Sequence, residues 1–432
     1  MYEHDFSWRL PGWCHLIALT LGLAFIEPVL AAEGRQALTL EIAVSRALEQ
    51  NPKLRVYAPR LRGLEGQRLT ADQSPAYTLG FEAENILGSG ALSGTDAAEY
   101  TVSLSSVIEL GGKREARTRV VSGAYGKMEA ERRAQTLSLL GQVTRQFIST
   151  LALQERVRLA GEAVELAEST YDLVSRRAGQ GAAPQAEVLR ARAQLRQSRL
   201  EQNRLTAAYD SRRQSLATLL GEETADFKML EGDLFAFTGS ENFPDLFQRA
   251  RENPAILIYA SEERLREAQL ELARSQSQSD IRWQVGARHL EAIGDSALVA
   301  GVSIPLFSGR RNRGEVQAAT AARDEVGYRR ESALLDLRSR LYEAYRLHQQ
   351  GVAAADAMEN QILPDLREAL ALTRDAYEQG RYSYIEWQAA QRELLSAQRD
   401  RADAATTALL NQSVIEQLTA QPLAASDPAS GQ

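Results

Sequence analysis

The chain has 432 residues, room for one large domain or for two to four ordinary ones. Apolar residues make up 44% and charged residues 25%, with only 12 Pro and 29 Gly, which excludes wholesale disorder and collagen-like repeats. The net charge of −7 gives no electrostatic case for nucleic acid as a partner, and the single cysteine, Cys14, excludes an internal disulfide or a thiolate metal cluster.

The chain opens on a mostly apolar run, Trp13 to Ile26, broken by His15 and Thr20. As a helix it would reach roughly 21 Å at about 1.5 Å per residue, short of the ~30 Å of a bilayer core. Glu27-Pro28 ends the run, and Val29-Leu30-Ala31-Ala32 supplies small residues before Glu33. This predicts a secretory signal peptide over residues 1–32, although Glu3 and Asp5 outweigh Arg9 in its first segment. Cys14 lies at the start of the apolar run and not after it, so no lipid anchor is expected. The mature chain would carry 49 basic against 54 acidic residues, no cysteine, and only His289 and His348. No later segment is long and apolar enough for a transmembrane helix. An exported chain of this kind is periplasmic or an outer-membrane β-barrel.

Two segments then share ordered landmarks. Ala47-Leu48-Glu49-Gln50-Asn51-Pro52 returns as Ala250-Arg251-Glu252-Asn253-Pro254, an offset of 202. Ser106-Val107-Ile108-Glu109-Leu110-Gly111-Gly112-Lys113-Arg114 returns near Ser303 to Arg311, an offset of 197, and Gln180-Gly181 with Glu187 returns as Gln379-Gly380 with Glu386, an offset of 199. The expected organisation is a first repeat over 33–221, an inter-repeat segment over 222–245, a second repeat over 246–420, and a disordered tail over 421–432. Each repeat reads as helix, strand pair, very long helix, Gly-marked turn and returning helix.

In the first repeat, Tyr77–Leu87 and Tyr100–Ile108 alternate apolar and polar residues; in the second, Ile281–His289 and Leu298–Leu306 do so. These are period-2 strands of about ten residues. Lys113 to Ala178 holds no proline and would span roughly 100 Å as one helix. Its apolar residues recur at 3-4-3-4 spacing, as do those of the returning helix from Val188 to Leu219, so the helices pack like a coiled coil. Arg311 to Gln379 and Ser383 to Thr419 are expected to repeat that pair. The fold class is therefore mainly α with a β portion, built on duplicated long helical hairpins.

Four amphipathic strands cannot close a barrel, and their open edges would be unpaired in lipid. If the strands enter a membrane, several chains must pool them and the helices must hang outside. At this point the chain resembles the outer membrane efflux proteins typified by TolC, over essentially the whole mature length. The resemblance rests on the duplicated plan, on Tyr377-Glu378-Gln379-Gly380 with Glu386 following, and on Ile304-Pro305-Leu306-Phe307-Ser308-Gly309 leaving the last strand. Phe81 to Gly88 and Ser106 to Arg114 look like the branch serving heavy-metal (cobalt–zinc–cadmium or copper–silver) efflux pumps. The resemblance implies a homotrimer with a shared 12-strand transmembrane β-barrel and a periplasmic α-barrel. It further implies docking to a periplasmic adaptor and an inner-membrane transporter of the RND type, with a passive duct through the outer membrane of a Gram-negative bacterium. The same fold also serves type I protein secretion and multidrug efflux. A periplasmic adaptor is disfavoured by the two hairpins in full duplication.

No catalytic motif is present: there is no H-E-x-x-H, G-x-S-x-G or Ser-x-x-Lys, and Gly112-Lys113 lacks the upstream glycine of a phosphate loop. No enzyme activity, no cofactor and no resident metal are expected, and His289 and His348 are read as packing or solvated side chains. Lys113, Arg114 and Arg117, like Arg310, Arg311 and Arg313, sit where strands turn into helices. Cations there oppose the helix macrodipole by ~0.3–1 kcal/mol each, so Lys113, Arg114, Arg310 and Arg311 are expected to meet lipid phosphates. Gly181 and Gly380 predict positive-φ helix ends. From the resemblance, Gly181-Ala182-Ala183-Pro184 and Gly380-Arg381-Tyr382-Ser383 form the adaptor-docking tips. It also places Glu386 at the periplasmic constriction, with Ala389 in place of a second acid and Glu187 as the first-repeat counterpart. A three-fold carboxylate ring favours cations.

Overall fold

A computed structural model describes residues 37–237, 239 and 241–421. The expected signal peptide over 1–32 and the expected tail beyond 421 lie outside these residues. The chain runs through β1 (Ala37–Thr39), α1 (Leu40–Gln50), the one-turn α2 (Pro52–Arg55) and α3 (Tyr57–Ala71) into β2 (Thr78–Glu84) and β3 (Glu99–Ile108). It continues along α4 (Lys113–Gly179), returns along α5 (Gln185–Leu220) and passes β4 (Met229–Glu231). The second half repeats the order: α6 (Phe243–Ala250), α7 (Pro254–Gln276), β5 (Ile281–Leu290), β6 (Asp295–Ser303), the one-turn α8 (Ser308–Arg311), α9 (Arg313–Ala357), α10 (Leu363–Glu378) and α11 (Tyr384–Thr419).

The last strand begins and ends three residues before its expected bounds, so Ile304-Pro305-Leu306 lies beyond it. The long helix of the second half also differs from expectation. Arg311 to Gln379 is not one helix, because a π-helical turn over Met358–Ile362 separates α9 from α10. Pro364, in the first turn of α10, has no N–H for the carbonyl of Asn360, and the chain widens by one residue there. The first-half helix has no proline and runs 67 residues unbroken.

The inter-repeat segment contributes to the core. β4 pairs in parallel with β1 through Leu38 and Leu230. Phe227, Leu230 and Leu234 pack with Phe147, Leu151, Leu216 and Leu220 in one cluster. Each such side chain contributes about 1.5–3 kcal/mol of burial.

The Asn-Pro landmarks have a mechanical role. Asn51 accepts from the Lys53 backbone at 2.9 Å and donates to the Leu219 carbonyl at 2.8 Å. Asn253 accepts from Ala255 at 2.8 Å and donates to the Gln417 and Leu418 carbonyls, both at 2.9 Å. Each asparagine caps one helix and clips the last turn of the returning helix, satisfying carbonyls that the helix itself leaves free.

Candidate functional site

The four long strands form one antiparallel sheet in the order β2-β3-β5-β6. The register sets Phe81 opposite Val102, Val102 opposite Ala287, and Ala287 opposite Leu298. Leu79, Leu104, Val285 and Ala300 make the next row of the same face. The other face carries Glu82, Thr101 and Arg288 in one row, and Thr78, Ser105, Gln284 and Gly301 in another. Leu79, Phe81, Leu298 and Val302 are 70% exposed or more, far beyond what water tolerates as a contiguous patch. On the polar face, Arg288 donates to Glu99 at 2.8 Å and Thr101 at 3.0 Å, and pairs with Glu84 at 3.0 Å. A sheet with one apolar and one polar face can wall water from lipid. Among the described residues, its outer strands, β2 and β6, each have one partner.

At the strand-to-helix junctions, Lys113 differs from its expected place. It is buried, and its ammonium lies 2.6 Å from Asp280 and 2.8 Å from the Gln278 carbonyl. Arg117 pairs with both oxygens of Glu109 and donates to the Ala71 and Gln73 carbonyls. Carboxylates within the chain thus answer these two cations against the helix dipole. Arg114 is half-exposed with Asp72 at 3.6 Å, and Arg310 and Arg311 are exposed with no ion pair among the described residues.

The two hairpin tips stand level with one another. Gly181 has φ +77° and Gly380 φ +72°. Ala182 donates to the Arg177 carbonyl and Arg381 to the Ala376 carbonyl, both at 2.8 Å, closing each helix with the same left-handed turn. Val174, Val188, Ala191, Tyr377, Tyr384 and Trp387 bring four helices into one small core. Arg177, which the sequence did not single out, lies over the Tyr377 ring at 4.9 Å and donates to the Glu378 carbonyl of the other tip. The Tyr384 hydroxyl and the Trp387 indole N–H are buried in this core without a partner among the described residues. Each such group costs about 1–3 kcal/mol, so this core is weaker than its apolar content suggests.

The two acids expected at the constriction have different surroundings. Glu386 turns back on its own helix: Ser383 donates to it from its backbone N–H at 2.7 Å and from its hydroxyl at 2.9 Å. Those two donors hold the Glu386 carboxyl below its ordinary pKa, so it is ionised at neutral pH. Ser383-x-x-Glu386 is a capping box, legible in the sequence but not read there. In the first half Pro184 stands where the serine would be, and Glu187 instead accepts from the Tyr377 hydroxyl at 2.9 Å. Burial, then this contact, pushes the Tyr377 phenol above its ordinary value, and it remains a donor. The second acid position, Ala389, is half-buried.

His289 lies in β5 beside Ser296, and His348 is buried in α9 with Nδ1 3.0 Å from the Ala408 carbonyl. The structure does not bring them together. Among the described residues, no helix is long and apolar enough to cross a membrane.

The sequence pattern of the family described as "Outer membrane efflux protein" matches residues 43–222 and 247–421. The chain is similar to the cobalt-zinc-cadmium resistance protein CzcC of Cupriavidus metallidurans, 29% identical over 371 residues that cover 86% of this chain and 87% of that protein. It is also similar to the pyoverdine export outer membrane protein OpmQ of Pseudomonas putida, 25% identical over 86% of this chain and 78% of that protein. Among solved structures, the outer membrane protein VceC of Vibrio cholerae superposes with a TM-score of 0.70 at 19% identity, covering 89% of this chain and 97% of that one.

Proposed function

The chain belongs to the outer membrane efflux protein family, and on that premise we propose that it is the exit duct of a tripartite efflux system for heavy-metal cations. The sheet with one bare apolar face and one polar face carries this reading. Three copies would pool twelve strands into a closed wall with the apolar face outward, leaving no edge in lipid. The helical hairpins, 33–221 and 246–420 contributing one set each, would continue the duct into the periplasm. The likeness to the cobalt-zinc-cadmium resistance protein supports the metal branch.

In this reading the tips at Gly181–Pro184 and Gly380–Ser383 meet a periplasmic adaptor that joins the duct to an inner-membrane RND-type transporter. Glu187 and Glu386 stand just inside the narrow periplasmic end and favour cations there. Arg114, Arg310 and Arg311 meet lipid phosphates, and Lys113, committed to Asp280, is left out of that role. The metal ion is cargo, and the duct needs no tight ligand set to pass it.

The test is cellular metal content in a strain lacking this chain. Cobalt, zinc, cadmium or copper should accumulate and resistance should fall, with both restored by the gene. Unchanged metal content with a loss of resistance to organic toxicants would move the function to the multidrug or secretion ducts of the same fold, a reading the likeness to the pyoverdine exporter keeps in view.

A further inference from the structure

The two strand-to-helix junctions of the duplication are built differently. At the first, each cation meets an acid of its own chain: Arg117 meets Glu109, Lys113 meets Asp280, and Arg114 meets Asp72. At the second, all three acids are missing. Leu306 stands where the offset of 197 would place Glu109. Ser277 caps the end of α7 where Asp72 caps that of α3, and Tyr77 precedes β2 where Asp280 precedes β5. Arg310, Arg311 and Arg313 are therefore exposed, with no ion pair among the described residues. Glu315, in the first turn of α9, pairs with none of them.

The apolar face of the sheet runs on into this junction. Ile304 continues the alternation of Leu298, Ala300 and Val302 past the end of β6, and all four are exposed. Leu306 and Phe307 follow, 72% and 77% exposed. Phe307 is held in the left-handed region at φ +64° and ψ +23°, where a bulky residue is a rarity.

The turn is fixed from behind. The Ser279 hydroxyl donates to the Pro305 carbonyl at 2.6 Å, and the Ser308 hydroxyl donates to the Ser277 carbonyl at 2.9 Å. Asn312 donates to the Ser277 hydroxyl at 3.1 Å, and the Phe307 carbonyl accepts from the Arg310 and Arg311 backbones at 3.1 and 3.3 Å. The junction thus grips α7 with its polar atoms and leaves an aromatic ring and three guanidiniums uncovered. In water alone, each of these features is unfavourable: bare apolar surface, a strained backbone and clustered like charge. An amphiphile with an anionic head answers the first and the last together.

Resting on the duct reading above, we propose that the second junction, and not the first, is a binding site for one anionic phospholipid of the periplasmic leaflet. Arg310, Arg311 and Arg313 hold its phosphate, and Leu306 and Phe307 lie against its acyl chains. The guanidinium fork suits phosphate oxygens, and a second acidic group on the head gives the three cations more to pair with than a zwitterionic head does. Free phosphate would satisfy the arginines but leave Leu306 and Phe307 bare. A lipid covers both, and its chains continue along the apolar face that ends at Ile304. The first junction has already spent its cations on Glu109, Asp280 and Asp72, so Arg114 adds little to lipid binding.

The experiment uses the full chain purified in detergent, mixed with phosphatidylglycerol or phosphatidylethanolamine of the same acyl chains and followed by native mass spectrometry. The wild-type chain should retain phosphatidylglycerol several-fold more than phosphatidylethanolamine. Arg310→Gln, Arg311→Gln and Arg313→Gln combined should abolish that preference with the oligomer unchanged, and Arg114→Gln should keep it. Phe307→Gly, which takes the same φ without strain, should lower retention of both lipids several-fold. Equal retention of the two lipids by the wild-type chain, or of phosphatidylglycerol by the triple variant, would overturn the site and leave the duct standing. Displacement of phosphatidylglycerol by inorganic phosphate at matched ionic strength would make it a free-phosphate site and overturn the lipid. Loss of the oligomer in the triple variant would assign the arginines to contacts between copies, which also overturns it. A wild-type chain that stays monomeric and does not enter liposomes would remove the duct reading and this site with it.

Discussion

Glu262, on α7, is only 5% exposed, yet Arg329 donates to it from 2.6 Å, with Arg266 at 3.5 Å and Lys127 at 3.9 Å. Burial opposes its ionisation, but the Arg329 hydrogen bond and the three cations outweigh burial and hold the carboxyl below its ordinary value of 4.5. A carboxyl lowered on folding adds stability above its unfolded pKa, and that stability is lost as pH falls through the folded value. Glu262→Gln should therefore destabilise the helices at pH 7 by about 1–3 kcal/mol, moderated because the three cations are partly exposed. The deficit should shrink below pH 4, which melts followed by circular dichroism at both pH values would show; an equal deficit at both would assign the effect to packing. The sequence offers only the i,i+4 pairing with Arg266 on the same helix, because Lys127 and Arg329 lie far away on α4 and α9. Glu386 is the opposite case, since its capping serine is three residues away and the motif is local.

The strands were legible as elements because alternation is a local pattern, and each stands within a few residues of its expected bounds. The helix break at Met358–Ile362 was also written locally, in Pro364, but the heptad spacing on either side masked it. The packing of the inter-repeat segment around β4 was not legible, because its buried Phe227, Leu230 and Leu234 follow no period and are ordered by β1 and α4 instead. The tip turns carry a prediction at this scale. A Cβ on Gly181 would meet nothing within 4 Å, so a substitution there is resisted by its φ of +77° alone. Gly181→Val should then cost about 1–2 kcal/mol of local strain and impair resistance, whereas Gly181→Asn, which tolerates the left-handed region, should retain it. Trimer yield should be the same for both. Equal resistance in the two variants would show that the turn is not the docking surface.

At the scale of the whole molecule, the duplication was visible in three landmarks, but the joining of the two halves was not. Alternation says which face a side chain takes and is silent about its neighbour strand. The β3–β5 pairing, which sets Tyr100 against His289 and Ile108 against Ile281, unites residues more than 170 positions apart and is what makes two strand pairs one wall. Gly286 sits in the middle of that pairing, opposite Ser103. A Cβ there would stand 2.5 Å from the Val102 carbonyl oxygen and 3.0 Å from the Ser103 Cβ, and both are held by the ladder itself. Gly286→Val should therefore part β3 from β5. In lipid each backbone group left without a partner costs several kcal/mol, and no water can replace the lost bonds. The long helices, packed through their own core around Leu139, Val143, Leu216 and Leu220, do not depend on the sheet. If three copies pool their strands as proposed, the expected result is loss of the trimer in detergent together with retained helical circular dichroism. Wild-type trimer levels in Gly286→Val would mean that the sheet is not what holds the copies together.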